Sequence, residues 1–202
     1  MPKETASPSD LLGRASEASI GSTERKLLTA AAFSEAALEN AVLVGGTAVE
    51  LHTGSYQPTD IDLVGNTRPG SDAILVRLGF VRDGRHWLFT FSDGETLAIE
   101  VPGDRLDGYA LEAPRAIDLG PGRLAVISLN DLMMDRLLQA TGGEPVTMDE
   151  AVRLATAAYE RIDWENLSAR SDVAAQDGTL AGAELPAVLA SVRRAARKQL
   201  RR

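Results

Sequence analysis

The apolar and polar positions along the chain divide it into three stretches. From Leu11 to Leu38 apolar residues recur at helical spacing. Ser22, Thr23 and Glu24 open the better-defined helix, with Leu27, Leu28, Ala31, Ala32 and Leu38 near one face. Asn40 interrupts this run, and Ala41–Val44 is a continuous apolar stretch of the kind that forms a buried strand. Gly45-Gly46 predicts a turn, Thr47–His52 a short helix closed by Gly54, and Asp60–Val64 a second strand beyond Pro58. Asp72–Leu78 reads as another helix, ended by Gly79.

The next stretch is rich in strand signals. Phe80–Arg82 and His86–Phe91 flank Asp83-Gly84, a hairpin turn pair. Ser92-Asp93-Gly94 turns the chain into Thr96–Val101, which Pro102-Gly103 stops. Ala113–Leu119 and Arg123–Ile127, around the turn Gly120-Pro121-Gly122, predict two less strongly patterned strands. From Ser128 the pattern is helical. Ser128–Asp131 is a capped start, Thr147–Glu150 opens a helix to about Arg161, Asp163 or Asn166 begins a third, and the last runs from about Leu185. Residues 1–9 are expected to be disordered, 10–127 to form an α+β core with a mixed sheet flanked by helices, and 128–202 a C-terminal helical region.

Composition narrows the chemistry more than the fold. An apolar share of 44% and a charged share of 25% suit a folded domain. No stretch approaches the roughly 20 apolar residues needed to span a bilayer. The N-terminus lacks the apolar region of a secretory signal, so a cytoplasmic protein is expected, with no membrane partner. With no cysteine and only two histidines, His52 and His86, a metal site would have to be built from oxygen, which points to Mg²⁺ or Mn²⁺. The net charge of -8 argues against coating of duplex DNA. The exception is the C-terminus, where Arg193, Arg194, Arg197, Lys198, Arg201 and Arg202 occur without an acid. This is either a solvated helix end, favoured by the helix dipole, or a contact for RNA or an acidic partner.

The chemistry concentrates between Val42 and Val64. A buried strand running into Gly45-Gly46 and then a helix lets a phosphate approach the main chain, where unpaired N–H groups attract it. The Thr47 hydroxyl offers one further hydrogen bond to a phosphate oxygen. Downstream, Asp60 and Asp62 alternate with Ile61 on a strand, so both carboxylates face one way. Two such charges repel unless a cation lies between them, and a divalent metal suits that place. Glu100 is a third acid, on a strand whose other face is Leu97, Ile99 and Val101. Beside the Asp60 strand it would complete a three-carboxylate cluster. Singly, each feature also has a plain reading: a tight turn, a cap, an exposed acid, an edge-strand acid. His52, Trp87, Phe89, Met133 and Met134 read as structural or packing residues.

The Gly-Gly turn at Gly45-Gly46, the spacing to Asp60-Ile61-Asp62 on a strand and the later acid Glu100 together resemble the DNA polymerase β-type nucleotidyltransferase superfamily. Gly45–Ala48 with Thr59–Leu63 look most like its small prokaryotic members, which include the AbiEii-like proteins of toxin–antitoxin systems. The match covers Val42 to about Val101, and the helical tail resembles the group's second domain only loosely. The resemblance implies a nucleotidyltransferase-type sheet and transfer of a nucleoside monophosphate from an NTP to an acceptor hydroxyl. It implies Mg²⁺ or Mn²⁺ on Asp60, Asp62 and Glu100, with phosphates held by Gly45, Gly46 and Thr47. It also implies phosphate contact by Arg136, in place of a lysine usual in that tail domain; read from the residues alone, Arg136 is a surface helix residue pairing with Asp135 or Gln139. RNA held by the Arg-rich C-terminus, or a protein, is the expected acceptor, and a cognate antitoxin or regulatory protein the expected partner. A catalytically inactive binding module on the same fold, and an enzyme modifying a small polyol, are the alternatives.

Overall fold

Caps and turns set where the elements begin. In this computed structural model, which describes residues 6–54, 57–106, 111–120 and 122–201, Ser7 and Asp10 form a capping box. It opens α1 (Pro8–Glu17), with Pro8 in the first turn. The chain is therefore already helical at Pro8 and Ser9, where disorder was expected; residues 1–5 lie outside the described ones, as do Pro121 and Arg202. Ser22 caps α2 (Thr23–Ala37) through a bond from Arg25 N. The chain falls into two compact units, one within Met1–Leu106 and Pro114–Ile127, the other within Asp107–Ala113 and Ser128–Arg202.

The first unit is built on a seven-stranded mixed sheet in the order β3-β4-β5-β2-β1-β7-β6. Its strands are β1 (Leu38–Val44), β2 (Asp60–Thr67), β3 (Val81–Asp83), β4 (His86–Thr90), β5 (Thr96–Gly103), β6 (Arg115–Asp118) and β7 (Arg123–Val126). β2 pairs with β5, and β1 with β7, in parallel; the other neighbours are antiparallel. The edges are the short strands β3 and β6, which limits the exposed row of backbone groups. Asn40 does not break the helical run ahead of the strand as expected, because α2 already ends at Ala37 and β1 begins at Leu38. Asn40 sits inside β1 with a left-handed φ of 53°, where pairing with β2 shifts between Glu39 and Val42. Asparagine is one of the few residues that adopt this conformation at low cost, so the chain bulges and continues.

α2 is the core helix of this unit. Its small residues, Ala30, Ala31, Ala32, Ala36 and Ala37, are almost wholly buried, and Phe33 meets Phe80 edge-on at 5.4 Å. Leu43, Ile61, Leu63 and Ile99 are fully buried in the sheet. Two cations of α2 are buried as well, which the pattern did not predict. Arg25 bonds Asp93 at 2.7 Å and Glu95 at 2.6 Å and lies over the Phe91 ring; it holds the Asp93 carboxyl below its ordinary range. Between α2 and β2 lie α3 (Gly45–Thr53) and, after β2, α4 (Ser71–Arg77).

Among the described residues the second unit has four helices: α5 (Leu129–Ala140), α6 (Pro145–Ala157), α7 (Trp164–Ala174) and α8 (Leu180–Gln199). Ser128 caps α5 and Asp163 caps α7, as the sequence suggests. α6 starts earlier than expected, at Pro145; the Thr147 hydroxyl donates back to the Glu144 carbonyl instead of capping. α8 also starts early, capped by Thr179, and carries Pro186 inside it. Leu132, Leu137, Ala155, Leu167, Leu185 and Val192 make the core, and Arg170 bonds the buried Asp131 at 2.5 Å between α7 and α5. A Cβ on Gly182 would overlap the Ala174 carbonyl, so glycine sets how closely α8 follows α7. No helix among the described residues is long and apolar enough to cross a membrane.

Candidate functional site

The period of two along β2 sorts its side chains. Ile61 and Leu63 are fully buried on one face, while Asp60 and Asp62 are half-buried on the other. The parallel neighbour β5 aligns Asp60 with Ala98 and Asp62 with Glu100, so the three acids share one face of two adjacent strands. Ala98 takes up little space beside Asp60. On the other side, antiparallel β1 places Val44 opposite Asp62. The strand that carries the acids thus runs directly beside the end of β1, where α3 begins.

That junction is close-packed. Gly45 is the first residue of α3 and has a φ of 62°, a conformation costly for any residue with a Cβ. A Cβ there would also overlap the Asp62 carboxylate. Glycine is therefore required twice: for the backbone turn and for the space that Asp62 occupies. Gly46 and Thr47 follow in the first turn, whose main-chain N–H groups have no intrahelical acceptor, and the cap position Val44 offers no side-chain one. Thr47 is fully buried and its hydroxyl donates to the Asp60 carbonyl at 2.8 Å. This bond joins α3 to β2.

Glu100 stands where strand adjacency predicts, but its carboxylate is engaged from the other side. Oε2 lies 3.4 Å from His86 Nε2 and 3.4 Å from Arg85 Nε. His86 is the register partner of Glu100 on β4, the strand across β5 from β2. Accordingly, no group of three His, Cys, Asp or Glu side chains converges as metal ligands among the described residues. The donor chemistry still suits a hard cation. Mg²⁺ characteristically takes one or two protein carboxylates and fills its shell with water and substrate phosphate, and Asp60 with Asp62 offer that pair.

Sequence reasoning missed His86 and Arg85 as neighbours of Glu100. The signal was present: counting outward from the turn at Ser92–Gly94 sets Thr90 opposite Thr96 and brings His86 opposite Glu100. It also missed the support behind α3, where Glu50, buried, accepts from Lys26 Nζ at 2.8 Å and from Thr23 Oγ1 at 2.6 Å. His52 bonds the Ile127 carbonyl through Nε2 at 2.9 Å, in keeping with its structural reading. Arg136 belongs to the second unit, on α5, where it donates to Gln139 at 2.7 Å and lies 3.7 Å from Glu150.

No family model matches the chain, and no curated protein matches it. Among solved structures, it is similar to the antibiotic-resistance factor ANT(2'')-Ia at 20% identity, over 90% of this chain and 96% of that one, with a TM-score of 0.44. It is similar also to an H. pylori protein assigned as a nucleotidyltransferase, at 15% identity over 87% of this chain and 96% of that one, with a TM-score of 0.49.

Proposed function

We propose that the first unit is a metal-dependent nucleotidyltransferase of the polymerase β type, acting in the cytoplasm. One observation carries this reading: the start of α3 at Gly45 is packed against the Asp62 carboxylate so closely that only glycine fits. The first turn of α3, whose main chain would receive an anion in this reading, is thereby next to the strand face that carries the two acids. That combination suits a polyphosphate bound together with a divalent cation.

In this reading Gly45, Gly46 and the main chain of Thr47 receive the terminal phosphates, and Asp60 and Asp62 hold Mg²⁺ or Mn²⁺. The cation, when bound, neutralises triphosphate charge and stabilises the charge developing in line. Across the reaction an acceptor oxygen forms a bond to the α-phosphorus, the bond from that phosphorus to the bridging oxygen breaks, and pyrophosphate leaves. Glu100 takes the acceptor's proton, with His86 and Arg85 steadying its carboxylate. As for sequence, the acceptor is taken to be a hydroxyl of RNA or protein, and the protein to be AbiEii-like, with an antitoxin or regulatory partner.

Glu100's engagement by Arg85 and His86 favours one other reading, an NTP-binding module without turnover. Transfer from α-labelled NTPs, with Mg²⁺ or Mn²⁺, to small RNA, protein or an aminoglycoside panel separates the two. The proposal expects label on one acceptor class and a loss on the order of 10²-fold or more in Asp62→Asn. NTP binding without label on any acceptor would establish the binding module instead.

A further inference from the structure

Within the second unit, α7, α8 and Tyr159 line an open cleft of about 490 Å³ that the proposed function does not use. Its size is that of a small-ligand pocket. Two aromatic residues line it: half-buried Tyr159 packs on the buried Trp164 with ring centroids 5.1 Å apart, and Trp164 Nε1 donates to the Tyr159 carbonyl, which fixes the indole. The wall is cationic: Arg193, Arg194 and Arg197 recur at helical spacing along α8 and line the same cleft.

These arginines differ from three that meet carboxylates inside the two units. Arg25 and Arg170 are buried against carboxylates, and Arg136 faces Glu150. By contrast Arg193 lies over the Trp164 ring at 5.2 Å, Arg194 reaches the Ser191 hydroxyl, and no acid lines the cleft among the described residues. In a chain of net charge -8 this is a local concentration of guanidinium groups. A bare anion would need the cations but not the rings, and an apolar ligand the rings but not the cations.

We propose that this cleft binds a nucleoside phosphate, with the base stacked against the Tyr159–Trp164–Arg193 surface and the phosphate held by Arg194 and Arg197. Guanidinium groups match phosphate oxygens in pairs, and a base stacks on either an aromatic ring or a guanidinium plane. A free mononucleotide and the terminal nucleotide of a single-stranded RNA share this chemistry. The inference rests on the second unit alone and stands whether or not the first unit transfers nucleotides.

Calorimetric titration of the full chain in EDTA, which silences the metal-dependent site, tests it. The probes are 5′-AMP, a 5′-phosphorylated oligoadenylate RNA, adenosine, inorganic phosphate and a phosphoserine peptide. The expected result is binding of AMP or the RNA at least about tenfold tighter than of adenosine or phosphate. Arg194→Ala and Arg197→Ala, with unchanged thermal midpoints, should each weaken it by about tenfold or more, since charge-assisted bonds to phosphate carry it. AMP equal to the RNA identifies a free nucleotide as the ligand; RNA tighter by tenfold identifies a strand end. Phosphate binding as tightly as AMP, a phosphopeptide binding more tightly than both nucleotide probes, binding unchanged in both variants, or no binding at millimolar concentration would each overturn the proposal.

Discussion

Gly45 and Asp62 occupy one another's space, and this sets what a single methyl group should do. Gly45→Ala places a Cβ at a φ of 62° and onto the Asp62 carboxylate. The left-handed conformation alone costs about 1–2 kcal/mol. We expect a drop in urea-unfolding free energy of at least that size, and loss of nucleotide binding even where the variant is fully folded, because Asp62 must move. Gly54→Ala, also at positive φ but with open space around its Cβ, should show the stability loss and keep binding. The turn at Gly45-Gly46 and the shared face of Asp60 and Asp62 on one strand were legible in the sequence because residue type, spacing and strand period point the same way. The fate of the Thr47 hydroxyl was not, since its acceptor is the main chain of Asp60, and no side-chain pattern encodes that contact.

Elements were legible where their ends carry chemistry. Ser22, Ser128 and Asp163 announce α2, α5 and α7 as caps, while Pro145 and Thr179 start α6 and α8 ahead of the residues that look like starts. Strand order was less accessible. The parallel pairings of β2 with β5 and β1 with β7 join segments far apart in sequence, and nothing local specifies them. Nor does an amphipathic pattern reveal that α2 buries Lys26 against Glu50 of α3. That pair fixes α3 from behind, which leads to a prediction about both elements. Lys26→Met leaves Glu50 buried without its cation and should cost about 3–5 kcal/mol in chemical denaturation. Adding Glu50→Gln, which keeps an acceptor for Thr23, should restore most of that loss. Equal destabilisation in the single and double variants would show that the charge pairing is not what matters there.

At the scale of the whole molecule, two units divide the chemistry. The first carries acids beside a helix start, and the second carries arginines beside aromatic rings in a cleft that no acid lines among the described residues. The uneven charge was legible at once from the run of arginines after Val192, but its pairing with Tyr159 and Trp164 was not, because the helices bring together residues from separate segments. The central claim concerns the first unit, and the most direct measurement is Mn²⁺ binding followed by electron paramagnetic resonance with a non-transferable α,β-methylene NTP. The account predicts about one or two Mn²⁺ bound per chain only when the nucleotide is present. That binding should be lost in Asp60→Asn/Asp62→Asn and retained in Glu100→Gln, whose proposed part is to take the acceptor's proton. Equal Mn²⁺ and nucleotide binding by the wild-type chain and the double aspartate variant would contradict it.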